Sequence, residues 1–440
     1  MRPIIMTLLI IFSYQSFGNV QQFKLDNGLK IIVEEDHRAP VVISMIWYNI
    51  GSADEPGGIT GISHALEHLM FKGTKKYPLG VFSKTFTNLG GQINAFTTND
   101  FTAYYEKIAA INLDTSFKLE ADRMQNLIID KEEFNKEIKV IEEERRLRTN
   151  DNPQALTFER FLATAHLSSP YHHPVIGWMS DIKQLQVEDA RTWYKKYYSP
   201  NNATLVVVGD VTASKVRNLA EKYFGKIPKQ QLEERKPQIE PPLLGKKIVE
   251  IHAPAEVPLL MLGFNCPTLK TTTLKNIHAP YALELIAGIL AAGDSGRVNT
   301  QLVHGKKVAS SIDVYYNLFA RYQTEFIIYG SPSESHKPAE LKDGILAEIK
   351  KLQDELVSDT ELKRIKTQII AQKTFEKDSV FGKALEIGLL ETVGLGWQTK
   401  DKYVKQINAV NAEEIQQVAK LYFNENNMTE ARLIPLSDKE

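Results

Sequence analysis

His64-Ala65-Leu66-Glu67-His68 decides how the rest of this chain is read. Two histidines four apart on a helix stand one turn above each other on one face. Two converging imidazoles are the first requirement of a zinc site. Glu67 lies three residues from His64 and projects toward the same side, where it can take a proton from a water activated by the metal. The order H-x-x-E-H reverses the commoner zinc-binding order H-E-x-x-H. Five residues with three fixed letters are also compatible with an ordinary amphipathic helix carrying surface histidines. On the motif alone both readings stand.

A catalytic zinc usually has three protein ligands and an open position. Lys131 to Arg148 (KEEFNKEIKVIEEERRLR) is the obvious source of the third. It holds strong helix formers and no Gly or Pro, and it stops at Thr149-Asn150-Asp151-Asn152-Pro153, so one helix is predicted. Phe134, Ile138 and Ile141 form its buried stripe. At about 100° per residue, Glu144 lies roughly 60° from Ile141 and Glu137 roughly 40°, on the same side. Glu143 points nearly the opposite way, and Glu142 lies roughly 100° off on the other flank. Most of these acids belong to a solvated face. Glu144 and Glu137 aim inward, where a carboxylate needs a metal, a cation or a hydrogen-bond network. Glu144 is the expected third ligand and Glu137 an auxiliary acid.

Three stretches together resemble one family: H-A-L-E-H-L-M-F-K-G-T from His64, G-G-Q-I-N-A-F-T-T-N-D-F-T-A-Y-Y-E from Gly90, and E-I-K-V-I-E-E-E-R-R-L-R from Glu137. The family is the pitrilysin/insulinase group of zinc metallopeptidases, the inverzincins. The likeness is greatest to the short bacterial branch similar to mitochondrial processing peptidase. The resemblance implies one Zn²⁺ per chain on His64, His68 and Glu144, with Glu67 as the base and Glu137 supporting activity. The helical-face argument selects the same third acid. The resemblance further implies an α+β fold of two homologous halves forming a clamshell around a chamber. It also implies an edge strand at Asn94 and Ala95 that holds substrate peptide through main-chain hydrogen bonds. An ordinary hairpin edge is the alternative reading of that strand.

The 440 residues carry a net charge of −1, with 43% hydrophobic and 24% charged residues. This is ordinary globular composition, with no electrostatic case for nucleic acid or for anionic membrane. At the N-terminus, Arg2 precedes an apolar run from Ile4 to Phe12 and then Ser16-Phe17-Gly18, which reads as a signal peptide cut near Gly18. The run is too short to span a bilayer. The expected mature protein is exported, periplasmic in a Gram-negative host, and has no stable membrane insertion. Cys266 is the single cysteine and is read as a small, partly buried residue without a reactive role.

Ile182 to Asn202 and Val404 to Asn427 share an apolar-Lys-Gln-apolar start, an acidic first turn, an aromatic pair and an Asn-rich turn. Each leads into a strand, Thr204–Val208 and Glu430–Ile434. Self-similarity at about 220 residues signals a duplicated domain. The expected division is 1–18 signal peptide, 19–228 zinc-bearing domain, 229–247 charged Pro-rich linker and 248–440 homologous domain without a metal motif. Strands are expected near 29–33, 41–48 and 101–106, and helices at 62–70, 113–129 and 187–198. The mixture is α+β and not regular βαβ alternation.

Tyr171-His172-His173-Pro174 is read as a structural loop, because adjacent residues do not share a face. In the second half, many members of the family carry an Arg and a Tyr seven apart that bind the substrate backbone and the developing oxyanion. Val303 and Ser310 stand at those positions here. A homodimer, or a heterodimer with a related chain supplying the Arg and Tyr, is therefore expected. The reading is an exported zinc metalloendopeptidase acting on peptides or unfolded segments. The alternatives are a non-catalytic scaffold or assembly subunit of the same fold, and a peptide-binding module with structural zinc. A structural zinc is normally closed by four protein ligands, and no fourth stands out.

Overall fold

The computed structural model describes residues 20–236, 238–273 and 276–436. The expected signal peptide lies outside the described residues. The first half contributes β1 (Val20–Lys24), β2 (Lys30–Glu35), β3 (Val41–Tyr48), β4 (Gln92–Thr97), β5 (Thr102–Ala109) and β6 (Ala203–Gly209). They form one sheet in the order β1-β2-β6-β3-β5-β4. The second half contributes β7 (Lys247–Ala253), β8 (Leu259–Cys266), β9 (Ala309–Tyr315), β10 (Thr324–Pro332) and β11 (Met428–Pro435), ordered β7-β11-β8-β10-β9. Each sheet is mainly antiparallel with one parallel pair, β2 on β6 and β7 on β11. This is the α+β architecture of two halves.

The helices of the first half are α1 (Ile62–Leu69), α2 (Val81–Asn88), α3 (Leu113–Asn126), α4 (Lys131–Arg145), α5 (Pro153–Ala165), α6 (Met179–Ile182), α7 (Val187–Tyr197) and α8 (Ala213–Phe224). Those of the second are α9 (Ala279–Ala291), α10 (Pro338–Asp354), α11 (Asp359–Glu376), α12 (Val380–Thr392), α13 (Thr399–Ala409) and α14 (Ala412–Tyr422). One face of each sheet is covered by helices of its own half. Ile31, Val33, Ile46 and Tyr104 pack there with Leu66, Phe117 and Phe134. In the second half Leu260, Leu262, Phe326 and Ile328 pack with Ile286, Ile345 and Ile415.

The other faces are covered by exchange. Phe161 and Ala165 of α5 pack on Ile251, Met261, Ile327 and Leu433 of the second sheet. Ala384 and Ile387 of α12 pack on Ile32, Ile43, Trp47 and Val206 of the first. Two glycines permit the close approach: a Cβ at Gly388 would overlap the Trp47 indole, and one at Gly263 the Phe161 ring.

Two expectations need correction, the extent of the helix that carries Glu144 and the partial burial of Cys266. The helix predicted over 131–148 ends at Arg145 and loosens into a wider π-type turn over Arg146–Asn150. The second repeat is two helices, α13 and α14, broken at Val410-Asn411, where the Asn411 side chain caps α14. Cys266 is fully buried.

Candidate metal centre

Helix α1 starts abruptly because Gly61 takes a left-handed φ of 88°. A side chain there would also run into the Ile176 carbonyl. Buried Glu55 accepts the Gly61 and Ser63 N–H groups at 2.6 and 2.8 Å, satisfying donors that the helix start leaves free. Ile62, Ala65, Leu66 and Leu69 face the core, which turns His64, Glu67 and His68 to the opposite side. Helix α4 crosses beside α1, begun by Asp130, whose carboxylate accepts from Glu132 and Glu133 N–H.

His64 Nε2 and His68 Nε2 lie 3.8 and 3.4 Å from Glu144 Oε2. One donor atom from each of the three residues falls within 4.8 Å of the others, the sole such group among the described residues. The Glu144 side chain is 15% exposed, and its neighbour Glu143 is 53% exposed and paired with Arg146. The donor set is two imidazole nitrogens and a carboxylate oxygen, which suits zinc with one position left open. His68 Nδ1 hydrogen-bonds Glu137 Oε1 at 2.8 Å, leaving its Nε2 lone pair for the centre. Lys72 completes an ion pair with the other Glu137 oxygen. The His68 hydrogen bond, helped by Lys72 and working against burial, holds the Glu137 carboxyl down at about 2. Burial, with His68 and Arg148 nearby, pushes His64 down to about 3. It is therefore the neutral imidazole that a metal requires.

Glu67 sits on the same side of α1, half-buried. Thr97 Oγ1 donates to its Oε2 at 2.5 Å. Burial raises the Glu67 carboxyl, opposed by that hydrogen bond. Arg148 pairs with Glu144 Oε1 at 2.7 Å. Thr97, Lys72 and Arg148 were not singled out by sequence reasoning. Thr97 lay in the N-A-F-T-T stretch that signals the strand, but nothing in its spacing points at Glu67.

Asn94 and Ala95 lie in β4, opposite Tyr105 and Tyr104 of β5. β4 is the outermost strand of its sheet and packs beside α1. The His172 and His173 rings touch edge to face with centroids 4.1 Å apart. His172 Nδ1 bonds the Ser169 carbonyl within its own turn, as a structural loop would. Val303 packs against the second core, and the Ser310 hydroxyl donates to the Ser331 carbonyl at 3.2 Å.

Comparison with known proteins identifies the family. Residues 30–177 match the sequence profile described as insulinase (peptidase family M16), and residues 184–369 that of the peptidase M16 inactive domain. The zinc protease PqqE of Helicobacter pylori is 31% identical over 419 residues, covering 93% of this chain and 92% of that protein. A probable mitochondrial-processing peptidase subunit beta of Arabidopsis thaliana is 24% identical, covering 94% of this chain and 78% of that protein. The crystal structure of a protease from Helicobacter pylori superposes with a TM-score of 0.89 at 29% identity, covering 95% of this chain and 100% of that one. A helix-borne H-x-x-E-H pair, a carboxylate converging from a second helix and full-length similarity to zinc proteases lead to one conclusion: this chain belongs to peptidase family M16, the pitrilysin/insulinase family of zinc metallopeptidases.

Proposed function

We propose that the chain is an exported zinc metalloendopeptidase that hydrolyses peptides or unfolded protein segments. The observation that carries this reading is the convergence of His64, His68 and Glu144 within 4.8 Å beside Glu67 and an edge strand. Those three residues would hold one zinc per chain, which would supply Lewis acidity at the attacking water and the scissile carbonyl. Glu67 takes the water's proton and returns it to the leaving nitrogen. Thr97 fixes Oε2 of Glu67, leaving Oε1 for that transfer. Glu137 holds the His68 ring in the tautomer whose Nε2 faces the centre. The outer side of β4 at Asn94 and Ala95, where the Ala95 N–H donates to Asn94 Oδ1 at 2.9 Å until a peptide carbonyl replaces it, binds an extended peptide through its main chain, an interaction that depends little on side chains.

Export rests on the N-terminal pattern and is supported by the fold's likeness to the periplasmic protease PqqL from Escherichia coli, at a TM-score of 0.77 and 17% identity. Among the described residues no helix is long and apolar enough to cross a membrane. Of the homodimer and the heterodimer expected, the heterodimer with a related chain belongs to the same proposal, because Val303 and Ser310 offer no Arg or Tyr to the substrate and a second copy of this chain would offer none either. The non-catalytic alternative is disfavoured by the intact donor set and base. The test is to purify the chain without residues 1–18, measure zinc content, and assay a quenched peptide library with and without a related partner chain. Zinc-dependent cleavage lost in Glu67→Gln is expected, and zinc-loaded protein inert in both settings would favour the scaffold reading.

A further inference from the structure

The helix that carries Glu144 ends in E-E-E-R-R-L-R from Glu142, and the turn of the chain gives each arginine a different carboxylate. Arg145 points inward, and its two terminal nitrogens meet both oxygens of buried Glu159 at 2.8 and 2.9 Å. Arg146 pairs outward with Glu143. Arg148 lies one turn beyond Glu144 in the π-type turn, and its Nη1 is 2.7 Å from Glu144 Oε1. Its charge also reaches His64 and Glu67, where it favours the neutral imidazole and the ionised carboxyl. Arg148 therefore stands on the open side of the candidate metal centre.

A pair at this spacing between two exposed side chains contributes little. This pair is different, because the Glu144 side chain is 15% exposed and that of Arg148 is 75% exposed. The Arg145–Glu159 pair anchors the backbone at the end of α4. Among the described residues, Glu144 is the one ion-pair partner of the Arg148 guanidinium. The two oxygens of Glu144 thus have different neighbours. Oε2 faces His64 Nε2 and His68 Nε2 at 3.8 and 3.4 Å, and Oε1 faces Arg148.

A carboxylate can give a metal one oxygen or both. Beside two histidines, one oxygen leaves the fourth position of a tetrahedral site open, as a catalytic zinc requires. Two oxygens would fill it. We propose that Arg148 is a positioning residue for the third ligand: it holds Glu144 Oε1 aside, so that Glu144 serves the metal through Oε2 alone and the position beside Glu67 stays open to water. The inference rests on the zinc-peptidase reading above. The positive charge of Arg148 also opposes a nearby cation, but water screens so exposed a group, whereas the pair acts on Glu144 directly. Removing Arg148 should therefore change how the metal is held more than how tightly.

The test uses cobalt(II) in place of zinc, because its visible absorption is stronger in four-coordinate than in five-coordinate sites. The chain without residues 1–18 should bind one cobalt and absorb strongly. Arg148→Met should still bind one cobalt, absorb several-fold less, and melt at the same temperature when metal-free. With zinc, its kcat on the peptide library should fall roughly 10–100-fold with KM unchanged. Arg148→Lys, which keeps a cation within reach of Oε1, should restore the absorption. Arg146→Met, whose pair points to solvent, should change neither absorption nor rate. An unaltered spectrum in folded Arg148→Met overturns the proposal, as does an Arg148→Lys protein that behaves like Arg148→Met. Loss of the metal itself from Arg148→Met also overturns it, since Arg148 would then support affinity and not the manner of binding. If the spectra respond as expected but no peptide is cut, alone or with a related partner chain, the peptidase reading fails and the role of Arg148 stands. If peptides are cut and the spectra do not respond, the reverse holds. An unsubstituted chain that takes up neither cobalt nor zinc sinks both.

Discussion

Glu143 and Glu144 are adjacent in sequence, and a turn of 100° sends one to solvent and the other to the histidines. Their substitutions should separate cleanly. Glu144→Gln should lower zinc occupancy of the purified protein well below one per chain, and Glu143→Gln should leave it unchanged. Metal analysis after dialysis against a weak chelator decides this, and the reverse result would reassign the third ligand. Glu67→Gln should keep zinc and lose roughly 10²–10⁴-fold in turnover. Thr97→Val should keep zinc and lose roughly tenfold, the worth of a hydrogen bond to a charged group. A zinc-loaded Glu67→Gln protein with full activity would remove Glu67 from the chemistry. The four residues of the centre were legible because two helical periods, i,i+4 in α1 and the apolar stripe in α4, fix which way each side chain turns. Thr97 and Lys72 were not: their roles depend on how β4 and α4 lie against α1, which is a matter of tertiary packing.

Apolar runs and periodicity point to β2, β3, β5, β6 and β11 and to α1, α3, α4 and α7, and to nothing over β7 to β10 or α9 to α12; Val41–Tyr48 is apolar at every position but Ser44 because β3 is covered on both faces. Periodicity does not say which sheet an apolar helix face will cover. So the exchange of α5 and α12 between halves was invisible. The contacts that lock the exchange are testable. Arg321, from the loop before β10, pairs with Asp54 at 3.1 Å, and its backbone N–H donates to Asp100. Tyr171 donates to the same Asp100 at 2.7 Å. Arg321→Met would leave buried Asp100 without its cation, while Asp54 keeps Arg235 at 2.7 Å, and should cost roughly 3–5 kcal/mol in urea unfolding, with partial recovery on adding Asp100→Asn. A loss below about 1 kcal/mol would show that this cluster does not hold the halves. Buried Glu325 gives a pH signature. Its folded-state value of about 8 lies above the ordinary 4.5, so between those limits the folded chain keeps a proton that the unfolded chain releases. Stability should therefore be greatest below about pH 4.5 as far as this group is concerned, and should decline as pH rises toward 8. Glu325→Gln should flatten that decline in melts from pH 5 to 8. It should not remove it entirely, because Glu284, pushed up to about 7 by burial, acts in the same direction. Parallel curves for the two proteins would refute the assignment.

At the scale of the whole molecule, the chemistry is lopsided. The first half holds the candidate ligands, the base and the edge strand. The second half repeats the architecture with a five-stranded sheet and has no metal cluster among its described residues. Where the family resemblance implies an Arg and a Tyr, Val303 packs half-buried against the second core and Ser310 is tied to its own sheet by the bond to Ser331. Neither can donate to a charge developing on a carbonyl oxygen, and losing such a donor costs on the order of 10²–10³ in rate. Zinc and Glu67 would still activate water, so the chain alone should cleave slowly and not be inert. A related chain carrying the Arg and Tyr, docked so that its second half faces this metal centre, would supply what is missing. The expected result is slow cleavage by the isolated chain, well under the usual kcat of roughly 1–10³ s⁻¹, rising by two or more orders of magnitude with that partner. Activity of the mixture should vanish when Glu67 of this chain is changed to Gln, and should fall back to the isolated chain's rate when the partner's Arg is changed to Ala. The idea is lost if the isolated chain, shown by mass spectrometry to be free of other proteins, already turns over at the usual rate. It is equally lost if no related chain stimulates it and Val303→Arg with Ser310→Tyr, in protein shown to be folded, brings no gain.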